Sequence, residues 1–175
     1  QKKLLCVGRL EKQKNFPELF KVIENLNLEL DIIGDGTQKE ELSKLKDKLG
    51  LSVNFISPMT NSELLSFYKK YKFFILSSKF EGNPKVLLEA MGAGCIVIGN
   101  NIDSIKEIIT NKKDGFIFDF EVGTSNQFID IIDEKFKTLQ LISETAHKKI
   151  LDNNSFDNYL DNEKNDYNIL IKSLA

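Results

Sequence analysis

Residues 72–99 read Lys72-Phe73-Phe74-Ile75-Leu76-Ser77-Ser78-Lys79-Phe80-Glu81-Gly82-Asn83-Pro84-Lys85-Val86-Leu87-Leu88-Glu89-Ala90-Met91-Gly92-Ala93-Gly94-Cys95-Ile96-Val97-Ile98-Gly99. Two short continuous apolar runs flank a segment that opens at Asn83-Pro84 and stops at glycines. Such runs suit strands buried on both faces, and Pro near the start with Gly past the end is helix punctuation. The stretch therefore predicts a strand, a crossover helix and a second strand parallel to the first.

The same alternation extends in both directions. Strands are expected over residues 3–8, 28–34, 53–57, 72–77, 95–99 and 115–119. Helices are expected over 15–27, with Asn15 and Glu18 as an N-cap and capping box; over 37–49, stopped by Gly50; and over 60–70, opened by Thr60-Asn61-Ser62-Glu63. A helix follows with Asn83 as N-cap and Pro84 at its first position, ending near Gly92 or Gly94. A short connector covers 103–110, and the chain from about 122 on reads as helical. The fold class is α/β: a doubly wound, Rossmann-like six-stranded parallel sheet with C-terminal helices. The single domain covers 1–175, with a core over 1–140 and a helical extension over 141–175. The polar stretch 152–165 reads as the turn into a terminal helix ending near Ala175. In the strand order 3-2-1-4-5-6, ligands bind between the diverging loops that follow strands one and four. Those loops are residues 8–15 and 77–84.

Composition excludes several classes. The 175 residues carry 24 basic and 26 acidic side chains, a net charge of −2, so no basic footprint for nucleic acid is present. Apolar runs are far shorter than the ~20 residues that span a bilayer. Cys6 and Cys95 lie in strand-like runs and read as core thiols of a reduced, cytoplasmic protein. The chain begins without Met and enters a strand almost at once, so it is expected to be a piece of a longer protein. His147, the single histidine, has no partner at metal-ligand spacing and carries no metal or catalytic expectation.

Of the basic residues 23 are Lys and one is Arg, and that Arg9 falls just after strand one with Lys14 following. A guanidinium fork, an ammonium and a helix N-terminus together make a place for phosphate. The alternative is that Lys12 and Lys14 are solvated and Arg9 pairs with Glu11. In the second loop, Glu81 and Glu89 are eight positions apart. With Asn83 as cap, Glu89 lies about 9 Å along the helix, so the two carboxylates could grip different parts of one elongated ligand. Gly82 permits close backbone approach. The alternative for Glu89 is an i,i+4 pair with Lys85, in the less favourable order. Apolar residues surround Glu89 on nearly every helix face, so it is expected to be buried and to need a partner such as a ligand hydroxyl. Gly34-Asp35-Gly36 is expected to be a turn at the cleft edge.

The Glu81/Glu89 pair, Gly8-Arg9-Leu10 with Lys14-Asn15, and Asp114-Gly115-Phe116 in this order resemble the C-terminal, donor-binding domain of family 4 glycosyltransferases, of the GT-B fold. The resemblance covers roughly residues 3–140. It implies that Arg9 and Lys14 hold the diphosphate of a nucleotide-sugar, that Glu81 binds donor-sugar hydroxyls, and that Glu89 takes the ribose hydroxyls. Arg9, Lys14 and Glu81 would be the catalytic set. Donor binding would involve Gly8, Arg9, Lys14, Glu81, Gly82, Asn83, Pro84, Lys85, Val86 and Glu89, with the nucleobase near Gly34, Ser57 and Met59. The implied reaction is retaining transfer of a hexose-type sugar to a glycan or lipid-linked acceptor, as in bacterial polysaccharide biosynthesis, with no metal or other cofactor. The N-terminal acceptor domain of that family has no counterpart here, so the isolated chain is expected to bind a donor nucleotide weakly and transfer nothing. A domain of a sugar-nucleotide epimerase, which shares the fold, and a non-catalytic nucleotide-binding module are the competing readings.

Overall fold

A computed structural model describes residues 2–152. Its strands are β1 (Lys2–Val7), β2 (Leu28–Ile33), β3 (Ser52–Ile56), β4 (Phe73–Leu76), β5 (Ile96–Asn100) and β6 (Phe116–Phe118). The helices are α1 (Phe16–Ile23), α2 (Lys39–Lys48), α3 (Asn61–Tyr68), α4 (Lys85–Gly92), α5 (Asp103–Lys106), α6 (Ser125–Ile132) and α7 (Phe136–Asp152). All strand pairs are parallel and the order is β3-β2-β1-β4-β5-β6. This is the Rossmann-like arrangement expected from the sequence.

Alternation along β1 divides the core. Leu4 and Cys6 face the layer of α1, α2 and α6, while Leu5 and Val7 face that of α3, α4 and α5. Both faces are covered at the centre of the sheet, which is why β4 and β5 read as unbroken apolar runs, whereas β2 carries Glu29 and Asp31 and the edge strand β3 alternates. Helix α7 crosses from one layer to the other: Leu139 and Ile142 join the first cluster and Ala146 the second. The boundary placed at 140/141 falls within this helix. The expected turn over 152–165 and the terminal helix lie outside the described residues, apart from Asp152.

Local signals held unevenly. Thr60 and Glu63 form a reciprocal capping box at α3, but the expected box at Asn15 does not form. A short 3₁₀ turn, Lys12–Lys14, precedes α1, and Asn15 closes it in the left-handed region at φ 58°. Its side chain then cannot cap the helix, and Glu18 pairs with Lys21 at 2.9 Å instead. Helix α4 starts one residue later than expected. Pro84 is the cap residue rather than the first helical one, because its ψ of 68° is outside the helical range.

One buried polar cluster stands in the layer between β2 and α3. Asp31 is 3% exposed and accepts from the Tyr71 hydroxyl and from Asn54 Nδ2 at 2.8 Å, with Lys3 Nζ at 3.1 Å. Burial pushes its carboxyl up, yet the hydrogen bonds from Tyr71, Asn54 and Lys3 outweigh that and hold it below its ordinary 3.8. A folded-state value below the unfolded one means that this contribution is present above pH 3.8 and lost as pH falls through the folded value. Urea unfolding between pH 7 and pH 2.5 is therefore expected to show an acid limb that is shallower in Asp31→Asn. Parallel profiles for the two proteins would remove Asp31 as its source.

Candidate functional site

The switch point sits between β1 and β4, which pair through Leu4↔Phe73 and Leu5↔Phe74. The two loops leaving these strands are fastened together. Lys79 N donates to Gln13 O (2.9 Å), Gln13 Nε2 to Phe80 O (2.7 Å), and Ser77 Oγ to Lys14 O (2.8 Å). Lys14 Nζ closes the set on Glu81 Oε1 at 2.6 Å, with side-chain exposures of 15% and 8%. Two residues predicted for different parts of one ligand are thus each other's partners. Asn100 Nδ2 donates to Ser78 O at 2.9 Å and its Oδ1 accepts from Phe120 N, tying the second loop to β5 and β6.

Arg9 is exposed in the first loop, beyond the end of β1 at Val7. It does not pair with Glu11, which is taken by Thr37 through N (3.0 Å) and Oγ1 (2.8 Å). Those two bonds, with a smaller pull from the Arg9 charge, hold Glu11 below the ordinary carboxylate range against a slight upward push from desolvation. Among the described residues Arg9 makes no salt bridge within 4 Å. It lines a cleft of about 230 Å³ with Gly8, Gly34, Pro58, Met59 and Leu64. Gly34 and Met59 of the expected nucleobase region are therefore at this cleft. Ser57 is exposed in the β3–α3 turn and does not line it.

Gly82 and Asn83 are exposed, Pro84 is buried, and Lys85 and Val86 are half-buried at the start of α4. Glu89 differs from expectation: it is half-buried, and its partner within the protein is Tyr68, whose hydroxyl donates to Oε2 at 3.0 Å. The apolar surroundings read from the sequence were right for Leu87, Ala90 and Met91, which are fully buried, while Val86 and Leu88 leave Glu89's side of the helix partly open.

Each loop also holds one buried polar atom without a hydrogen-bond partner, Asn15 Nδ2 and Ser78 Oγ.

The remaining candidates are structural. Cys6 and Cys95 are buried free thiols; burial pushes Cys6 up against the opposing Lys14 charge and raises Cys95 to about 12. His147 Nδ1 contacts Gly92 O at 2.6 Å, joining α7 to the end of α4. Asp114, 2% exposed, accepts from Thr110 N at 2.7 Å and pairs with Lys149 at 2.8 Å, so it closes the 110–115 turn and docks α7. Among the described residues there is no group of three or more His, Cys, Asp or Glu placed to hold a metal ion. No helix there is long and apolar enough to cross a membrane. Gln13, Ser77, Asn100 and Tyr68 were not singled out by sequence. Only Ser77, at the end of strand four, had a positional signal.

A family model for glycosyl transferases group 1 matches residues 1–149. An α-1,4-N-acetyl-D-galactosaminyltransferase of Campylobacter jejuni, named for an undecaprenol-linked substrate, is 30% identical over 144 residues, which is 77% of this chain and 40% of the relative. The C-terminal domain of LpcC, a group 1 glycosyl transferase of Francisella tularensis, superposes with a TM-score of 0.70 at 21% identity, covering 84% of this chain and 83% of that one. HepE of Anabaena, solved with UDP and glucose, gives 0.76 at 19% identity, covering 85% of this chain and 43% of that one. At those identities the structural likeness establishes the fold alone. The chain spans less than half the length of the curated relatives it matches. With the model match over most of its length and a sheet order and switch-point crevice of the expected kind, this chain belongs to the glycosyl transferases group 1 family, with the Rossmann-like fold of one half of a GT-B enzyme.

Proposed function

We propose that this chain is the donor-binding half of a retaining enzyme that moves a hexose-type sugar from a nucleotide-diphosphate sugar to a glycan or lipid-linked acceptor. The observation that carries the reading is the Lys14–Glu81 pair across the facing loops of β1 and β4, with Arg9 of the first of those loops lining the neighbouring cleft. Arg9 is exposed at the cleft with its fork available for diphosphate, and Lys14 stands beside the start of α1. Together they offset charge that grows on the leaving diphosphate, which is how preorganised cations lower such a barrier. The Lys14–Glu81 pair keeps either charge from being left alone when no donor is bound. An incoming diphosphate competes for the ammonium and releases the carboxylate toward a sugar hydroxyl. The cleft bounded by Gly34, Met59 and Leu64 would take the base, and Glu89 the ribose. The UDP and glucose found with the HepE relative support a nucleoside diphosphate as the leaving group. The family membership favours this over an epimerase domain or a non-catalytic module.

The test is a calorimetric or NMR titration of the chain against a panel of nucleotide-sugars and their nucleoside diphosphates. Arg9→Lys keeps the charge but loses the planar fork, so about tenfold weaker diphosphate binding is expected, in line with a charge-assisted bond of about 1.5–3 kcal/mol. Glu89→Gln is expected to weaken free diphosphate and sugar-bearing donor alike. Unchanged affinity in Arg9→Lys would return Arg9 to the solvated surface. The isolated chain is expected to transfer no sugar, and measured transfer by it would overturn the assignment of a donor-binding half.

A further inference from the structure

Resting on the reading of Glu89 as the ribose ligand, we propose that Tyr68 is the positioning residue for that carboxylate, and that α3 couples the base cleft to it. Tyr68 is fully buried, its ring edge against Phe74 with centroids 5.7 Å apart at 71°, and its backbone carbonyl accepts from Cys95 Sγ at 3.3 Å. A fully buried ring packed against Phe74 has little rotamer freedom to lose, so its hydroxyl holds Glu89 Oε2 at 3.0 Å in one orientation. Burial, and then the adjacent Glu89 charge and hydrogen bond, push the Tyr68 phenol well above its ordinary value, so it remains a donor at any working pH.

The helix that carries this hydroxyl also borders the cleft. Leu64, one turn earlier on the same face of α3, lines the cleft with Met59 and Arg9, while Tyr68 reaches Glu89 on α4. The capping box of Thr60 and Glu63 fixes where α3 begins, directly after the Pro58-Met59 wall. A base settling against Met59 and Leu64 therefore bears on the element that aims the ribose carboxylate.

A ligand lacking the ribose hydroxyls separates positioning from packing. UDP, GDP and ADP are titrated into the chain, and the one that binds is compared with its 2′,3′-dideoxy form in the parent, Tyr68→Phe and Glu89→Gln. Tyr68→Phe keeps the ring and is expected to weaken the ribonucleotide about fivefold, the scale of one net hydrogen bond, with the dideoxy form unchanged. Glu89→Gln should show the same pattern with a larger loss. Equal losses for both ligands in Tyr68→Phe would mean a packing role and overturn the inference. Loss in Glu89→Gln with none in Tyr68→Phe would overturn it while leaving the site reading intact. Failure of the parent to bind any of the three diphosphates, or a Glu89→Gln variant that still distinguishes the ribose, would overturn the site reading and this inference with it.

Discussion

Lys14→Met is expected to destabilise the domain by about 3 kcal/mol, the low end for removing one partner of a buried ion pair. The loss comes from Glu81, only 8% exposed, whose carboxyl group would be left without the ammonium at 2.6 Å. Surface pairs cost far less to break, with a median near 0–1 kcal/mol. Adding Glu81→Gln to Lys14→Met should recover most of the stability, because the orphaned carboxyl group is then gone. Urea unfolding of the two single variants and the double gives the coupling directly. A Lys14→Met loss below about 1 kcal/mol, or no recovery in the double variant, would show that the pair is solvent-screened and does not lock the loops. The outcome also bears on function. If the loss is as large as expected, lost donor binding in Lys14→Met has two sources, and the double variant is the one to titrate against diphosphate.

The pair explains what sequence could and could not reveal about the site. Arg9, Lys14 and Glu81 stood out because chemistry-bearing residues followed strands one and four, and the sheet order makes those strand ends neighbours. That Lys14 and Glu81 touch each other depends on side-chain reach across two loops separated by 67 positions, for which no local pattern exists. The partner of Glu89 is Tyr68, 21 positions earlier on another helix, and no local pattern links the two. Local punctuation failed where it had competition. Asn15 carries the composition of an N-cap, but Lys12–Lys14 form a 3₁₀ turn that needs a left-handed residue at its end, and one Asn cannot serve both. Strands β4 and β5 were legible because burial on both faces demands continuous apolar runs, while β2, which buries Asp31, and the alternating edge strand β3 were legible from their neighbours in the strand–helix alternation.

Gly34→Ala is expected to cost about 3 kcal/mol, at the upper end for forcing extra volume into a packed site, while Gly82→Ala should leave stability within about 0.5 kcal/mol. Sequence gives these two glycines equal standing, and the structure separates them. A Cβ on Gly34 would stand 2.0 Å from the carbonyl oxygen of Gly8, and its φ of +154° is one that side-chain-bearing residues rarely adopt. Relief by backbone movement is blocked, because Gly34 N donates to Ile56 O at 2.9 Å and Gly8 N donates to Ile33 O at 3.0 Å. Those bonds tie the ends of β1, β2 and β3 to one another, so moving Gly34 away forfeits them and widens the cleft that Arg9 and Met59 share. Around Gly82 a Cβ meets nothing within 4 Å, so what a side chain there obstructs is a ligand approaching the start of α4, not the fold. Calorimetric melting distinguishes the two: for a chain of this size about 3 kcal/mol is roughly 6–12 °C in Tm, against little change for Gly82→Ala. Titration should then show Gly82→Ala weakening the sugar-bearing donor more than the free diphosphate. A Gly34→Ala variant that melts within about 2 °C of the parent would mean that the three strand ends can separate without cost, and the cleft would then be a soft feature rather than one set by the sheet.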